Sequence, residues 1–267
     1  MSDIHAALTA LESTSRTFFI PISLLPAGLQ EAVMSAYLGM RAIDEIEDHP
    51  ELAEAVKQDL LHEISRLLQA DAPRAGIDTL LGREPRLADV TLHLNDWMDL
   101  APRSIAPRVR DAIAVMADRM GLWARRRWAV HTRTDLDWYT YSVAGTVGLL
   151  LSDLWAWYDG TPTTRAEAVA FGRGLQATNI FLNRDDDLNR GVDFYPTGWT
   201  GEDMHHYALD HLRLAETYTQ SLPEGPARNF CSLVLALAQE GLHAWADGRR
   251  KLTRADVSAV LHTSRAH

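Results

Sequence analysis

Tyr37, Arg41, Asp44 and Asp48 in YLGMRAIDEIED (37–48) recur at the three- and four-residue spacing that stacks side chains on one face of a helix. At about 100° per residue they fall within roughly 60° of one another, with Glu47 at the edge of the stripe and Glu45 turned away. A second stripe lies in GLQATNIFLNRDDDLNRG (174–191), where Gln176, Asn179, Asn183, Asp187 and Arg190 share a face. Asp186 sits at its edge, and Asp185 points to solvent. Leu175, Ile180, Phe181 and Leu182 surround this polar stripe, so its helix is hard to leave in water. Carboxylates one turn apart can share a hard divalent cation, and Mg²⁺ prefers a few carboxylates plus waters and phosphate oxygens to an all-protein cage. Each stripe alone also fits a solvated acidic face. Two of them facing each other across a helical bundle predict a Mg²⁺ site for a phosphorylated ligand.

The elements that must position these residues read as helices. Apolar positions three and four apart run through LQEAVMSAYLGMRAI, VKQDLLHEISRLLQ, RVRDAIAVMADRMGLWA and RAEAVAFGRGLQATNIFL. Turn chemistry falls at IPISLLPAG, DAPRAGID, GREPR, DLAPRSIAP, YDGTPTT, DFYPTGWTGED and LPEGP. His49-Pro50 is expected to close the first acidic helix, because a proline disfavours helical conformation in the residue before it. The breaks are short, and no linker or repeat interrupts them, so one all-α domain over 1–267 is expected. With 46% hydrophobic residues, 267 residues can bury a large core.

The 26 Lys and Arg against 36 Asp and Glu give a net charge of −10, which leaves no basic field for nucleic acid. Cys231, the single cysteine, excludes an internal disulfide and a thiolate cluster. No apolar run reaches spanning length and no leader pattern opens the chain, so a cytoplasmic protein is expected. WARRRW (123–128) and MHHY (204–207) read as solvated surface.

SRTFFIPISLLP (15–26), YLGMRAIDEIED (37–48), YTYSVAGTVGLLL (139–151) and LQATNIFLNRDDDLNRGVDFYP (175–196) occur in the order and separation that resemble the squalene and phytoene synthases. The resemblance implies a single large helical bundle of the isoprenoid-synthase type with a central cavity. It implies Mg²⁺ as cofactor, held by Asp44, Glu47 and Asp48 on one side and by Asn179, Asn183, Asp186 and Asp187 on the other. Arg16, Thr17 and Arg41 match diphosphate-contacting positions, as does one of Arg249 and Arg250, and Arg190 is a further diphosphate-binding candidate. Phe18, Tyr37, Trp138, Tyr139, Val143, Ala144, Gly145 and Gln176 would line the prenyl and acceptor pocket. The small residues of SVAGTVG fit tight helix packing equally well. Arg41, Asp44, Asp48, Asn183 and Asp187 would carry catalysis.

The second motif departs from the family pattern. Leu182 and Val192 stand where arginines are expected, and Asn183 stands where an aspartate is expected. An asparagine carbonyl remains a metal ligand, but a neutral one. Losing two positive charges costs a second diphosphate more than a first. The expected reaction is therefore transfer from one allylic prenyl diphosphate to a small, carbazole-like aromatic acceptor in secondary metabolism. Head-to-head condensation of two prenyl diphosphates, terpene cyclisation and an inactive binding subunit remain as alternatives, and a homodimer is compatible with any of them.

Overall fold

The computed structural model describes residues 4–15, 17–70 and 73–249 together with Asp256 and Val260, and every regular element among these is helical. The all-α expectation holds. None of the described helices is long and apolar enough to cross a membrane. The chain divides into two compact units, Met1–Ala129 and Val130–His267. Their boundary falls in WAVHTR, which carries no Gly, Pro or Ser run that would mark it in the sequence.

The first unit contains α1 (Ile4–Thr14), α2 (Phe19–Ser23), α3 (Leu29–Glu47), α4 (Glu54–Leu68), α5 (Pro73–Leu81), α6 (Asp89–Leu92), α7 (Leu94–Met98) and α8 (Ala106–Arg125). Helix α3 begins after Gly28, whose φ of 84° turns the chain and whose N–H is accepted by the Glu31 carboxylate. Its apolar residues Leu29, Val33, Leu38, Ile43 and Ile46, spread around more than half of its circumference, are almost wholly buried, each large apolar side chain contributing about 1.5–3 kcal/mol. Thr91 Oγ1 donates to the Ala42 carbonyl at 2.8 Å and ties α6 to α3. The helix ends at Glu47 with Asp48 as its cap, in keeping with the expected stop at His49-Pro50. One expected turn is not a turn: most of DAPRAGID is helical, because Pro73 opens α5, where a missing N–H costs nothing.

The second unit contains α9 (Arg133–Thr140), a π-helical turn (Tyr141–Gly145), α10 (Thr146–Asp159), α11 (Arg165–Leu182), α12 (Arg184–Asn189), α13 (Gly201–Ser221) and α14 (Pro226–Ala246). Reciprocal caps start α9 and α13. Thr132 and Thr200 accept from the Asp135 and Asp203 N–H groups, and the aspartate carboxylates accept in return. Helix α11 is central and packs on α10 and α13. Its approach to the preceding helical stretch is close: a Cβ on Gly148 would lie 1.9 Å from the Ala168 carbonyl oxygen, and one on Gly172 would lie 2.0 Å from that of Ala144. The small residues of SVAGTVG therefore serve helix packing.

Candidate active site

In the first unit the stripe on α3 forms as expected, and its chemistry depends on crowding of charge. Arg41 pairs through its two terminal nitrogens with Asp44 and Glu45. Glu45 is thus a partner of the arginine, not a solvated bystander. Arg41 Nε is buried and finds no acceptor among the described residues, leaving a cationic donor that an anionic ligand could satisfy. Desolvation, and then the neighbouring Asp48, push the Asp44 carboxyl up to about 7 against the pull of Arg41. Burial, followed by the charge of Asp44, pushes Glu47 up to about 8. Asp44 and Glu47, both held above the usual carboxylate range by burial and neighbouring negative charge, suit a bound dication that would relieve them. Among the described residues no three His, Cys, Asp or Glu side chains form a group that could hold a metal ion by themselves. Mg²⁺, which shares its coordination with water and phosphate, does not need one.

Glu47 is only 3% exposed. Its Oε1 accepts from Trp128 Nε1 at 2.5 Å, and its backbone carbonyl accepts from Lys57 Nζ at 2.7 Å. The Lys57 ammonium lies 5.1 Å from the centre of the Trp128 ring. Trp128 reaches this position from a strained stretch after α8, where Arg127 and Trp128 have φ values of 52° and 49°. The Trp128 N–H returns to the Trp123 carbonyl at 3.0 Å, closing the helix end at a place where glycine is usual. Each left-handed non-glycine residue costs on the order of 1 kcal/mol or more. WARRRW is therefore a solvated basic face only at its arginines: Trp123 is buried and Trp128 half-buried.

The second unit places its polar stripe across a break. The expected continuous helix is interrupted at Asn183, which separates α11 from α12. The four-residue ladder nevertheless persists, since the Asn183 N–H reaches Asn179 O and the Asp187 N–H reaches Asn183 O, both at 3.0 Å. Asn183 Nδ2 donates to Asn179 Oδ1 at 2.8 Å, so the two amides sit side by side. Asp187 is 7% exposed and accepts from Arg190 at 2.5 Å. Asp185 and Asp186 are exposed. Leu182 and Val192 are half-buried apolar side chains. Arg184 lies 3.8 Å from the Tyr195 ring centre and pairs with Asp193 at 3.0 Å. Arg249 pairs with Asp256 at 2.7 Å. Each of these cations already has an acidic partner.

Arg16 and Arg250 lie outside the described residues. Thr17 is exposed, whereas Phe18 is half-buried with its ring 5.5 Å from that of Tyr37. Burial raises the Tyr37 hydroxyl pKa. Tyr139 is buried and stacks on Phe194 at 4.5 Å, and Trp138 is exposed. Val143 and Gly145 are buried, and Ala144 and Gln176 half-buried. Cys231 is buried, which pushes its thiol pKa up and makes it inert.

Sequence reasoning missed Lys57 and Trp128, along with a polar network between α9, α11 and α13. There Arg173 pairs with Asp137, Tyr207 Oη donates to Asp137 at 2.7 Å, and His211 packs edge-on to Tyr207 at 4.4 Å. Burial and then the Arg173 charge lower His211 to about 4, so it stays neutral near pH 7. MHHY is only partly a surface segment: Met204 and Tyr207 are buried.

The family model described as squalene/phytoene synthase matches residues 11–205. The 15-cis-phytoene synthase of Synechocystis sp. is 31% identical over 192 residues, covering 68% of this chain and 52% of that protein. The squalene synthase of Homo sapiens is 27% identical over 271 residues, covering 89% and 63% respectively. The chain thus spans between about half and two-thirds of the length of these relatives. The structure of TcSQS with the ligand BPH1237 has the same fold, with a TM-score of 0.79 at 21% identity over 99% of this chain and 86% of that one.

Proposed function

The chain belongs to the squalene/phytoene synthase family, and from that premise we propose that it ionises an allylic prenyl diphosphate and joins two such molecules head to head. The end of α3 carries this reading, because Arg41 offers an unsatisfied buried Nε beside crowded Asp44, Glu47 and Asp48. We assign Mg²⁺ binding to Asp44, Asp48 and Glu47 in the first unit and to Asn179, Asn183, Asp186 and Asp187 in the second. Bound Mg²⁺ would supply positive charge against the negative charge that develops on departing pyrophosphate. Arg41 Nε donates to a diphosphate oxygen, so the allylic C–O bond breaks with its electron pair leaving on pyrophosphate. The Phe18 and Tyr37 rings, 5.5 Å apart, offer π-faces to the allylic cation. A second prenyl double bond then captures the cation by forming a C–C bond, and the new cation that results loses a proton to the released pyrophosphate.

A specific observation favours a second reading, transfer to an aromatic acceptor. Leu182 and Val192 carry no charge, and Arg184, Arg190 and Arg249 are paired with Asp193, Asp187 and Asp256. Fewer cations remain for a second diphosphate. Incubation with dimethylallyl, geranyl or farnesyl diphosphate and Mg²⁺, followed by mass spectrometry, separates the two. Head-to-head coupling gives a product containing two prenyl units from donor alone. A product that forms only when an aromatic acceptor is added, and contains one prenyl unit, would overturn it in favour of the second reading.

A further inference from the structure

We infer that Trp128 is a positioning residue for Glu47, acting with Lys57 to fix the last turn of α3 for Mg²⁺-diphosphate binding; the inference rests on the function proposed above. The last carbonyls of a helix lack intrahelical donors, and helix ends fray unless something caps them. Here the turn that frays is the one that sets the separation of Asp44 and Asp48. Its final residue, Glu47, is gripped twice: Trp128 Nε1 holds the side chain at 2.5 Å and Lys57 Nζ holds the backbone carbonyl at 2.7 Å. The two grips are coupled, since the ammonium lies 5.1 Å from the indole ring centre. They come from separate elements, Lys57 from the start of α4 and Trp128 from the stretch after α8. That stretch accepts two consecutive left-handed non-glycine residues to deliver the indole. A buried carboxylate could be satisfied by any nearby donor. A rigid indole that fills one lone-pair direction of Oε1 also fixes the orientation of the other oxygen, the role an outer hydrogen bond plays for a metal-binding carboxylate.

Trp128→Phe keeps the ring and removes only the donor. Calorimetry with a prenyl S-thiolodiphosphate, which resists ionisation, reads the Mg²⁺ concentration at half-saturation, and circular dichroism reads the melting temperature. The expected result is an increase of about tenfold or more in half-saturating Mg²⁺, with no further increase when Trp128→Phe is placed on Glu47→Gln. An unchanged Mg²⁺ midpoint in Trp128→Phe, whatever its melting temperature, overturns the inference, as does an equal increase in the Glu47→Gln background. Should Trp128→Phe not fold, Lys57→Met takes the same test, with a raised midpoint expected and an unchanged one contradicting. Failure of the wild-type chain to bind the analogue with Mg²⁺ refutes the proposed function itself, a result distinct from any variant's behaviour.

Discussion

Asp44 and Glu47 differ from the other acidic residues of their run in that burial and neighbouring carboxylates raise their pKa values. Replacing Asp48 with alanine removes a carboxylate from the capping position of α3 without removing apolar packing. Turnover is expected to fall at least ~100-fold with the melting temperature preserved, and an active Asp48→Ala variant would refute the metal assignment. Asn183→Asp is expected to lower the half-saturating Mg²⁺, since a charged oxygen replaces a neutral one; an unchanged midpoint would remove Asn183 from the ligand set. The raised pKa values of Asp44 (about 7) and Glu47 (about 8) also set a pH dependence. Between about pH 4, where the unfolded carboxyls ionise, and these values, the folded chain holds protons the unfolded chain has released. Their contribution therefore favours folding least at high pH, and metal-free stability should decline as pH rises from about 4 and level off above about 8. Thermal melts of Asp44→Asn with Glu47→Gln should decline less steeply than wild type over pH 5 to 8.5, and parallel curves would contradict the account. Helical spacing made Asp44 and Asp48 legible in the sequence. It could not reveal the partner of Glu47, which is 81 positions away in Trp128, because a contact between distant segments leaves no periodic trace.

At the scale of elements, the long helices were legible because their apolar stripes repeat every three or four residues, and RAEAVAFGRGLQATNIFL coincides with α11 from end to end. The interruptions were not. Asn183 breaks the helix in a stretch whose polar ladder continues through it, and the π-helical turn at Tyr141–Gly145 adds no residue type that marks it. The turn nevertheless lies where the backbone must accommodate α11. Gly148→Ala and Gly172→Ala should each destabilise the fold by about 2–3 kcal/mol, because the added methyl meets a backbone carbonyl that cannot rotate away. Chemical denaturation tests this, and a variant as stable as wild type would show that α10 and α11 can separate at little cost.

For the whole molecule, the balance of charge constrains the chemistry more than the fold does. A chain with a net charge of −10 repels a diphosphate at long range, so binding needs local cations. Arg41 on α3, like Arg184, Arg190 and Arg249 in the second unit, is paired with acid, and Arg41 and Arg184 each keep a buried Nε without an acceptor among the described residues. Chelation of Mg²⁺ should therefore abolish binding of the diphosphate analogue, as calorimetry with and without EDTA would register; retained binding would mean the arginines suffice. Pyrophosphate release reports the ionisation of an allylic diphosphate, on which the other assignments depend. With farnesyl diphosphate or a shorter allylic donor and Mg²⁺, sustained pyrophosphate release is expected, stopping when Mg²⁺ is chelated. No release above the uncatalysed rate from any of these donors, in a folded protein supplied with Mg²⁺ and an aromatic acceptor, would contradict it.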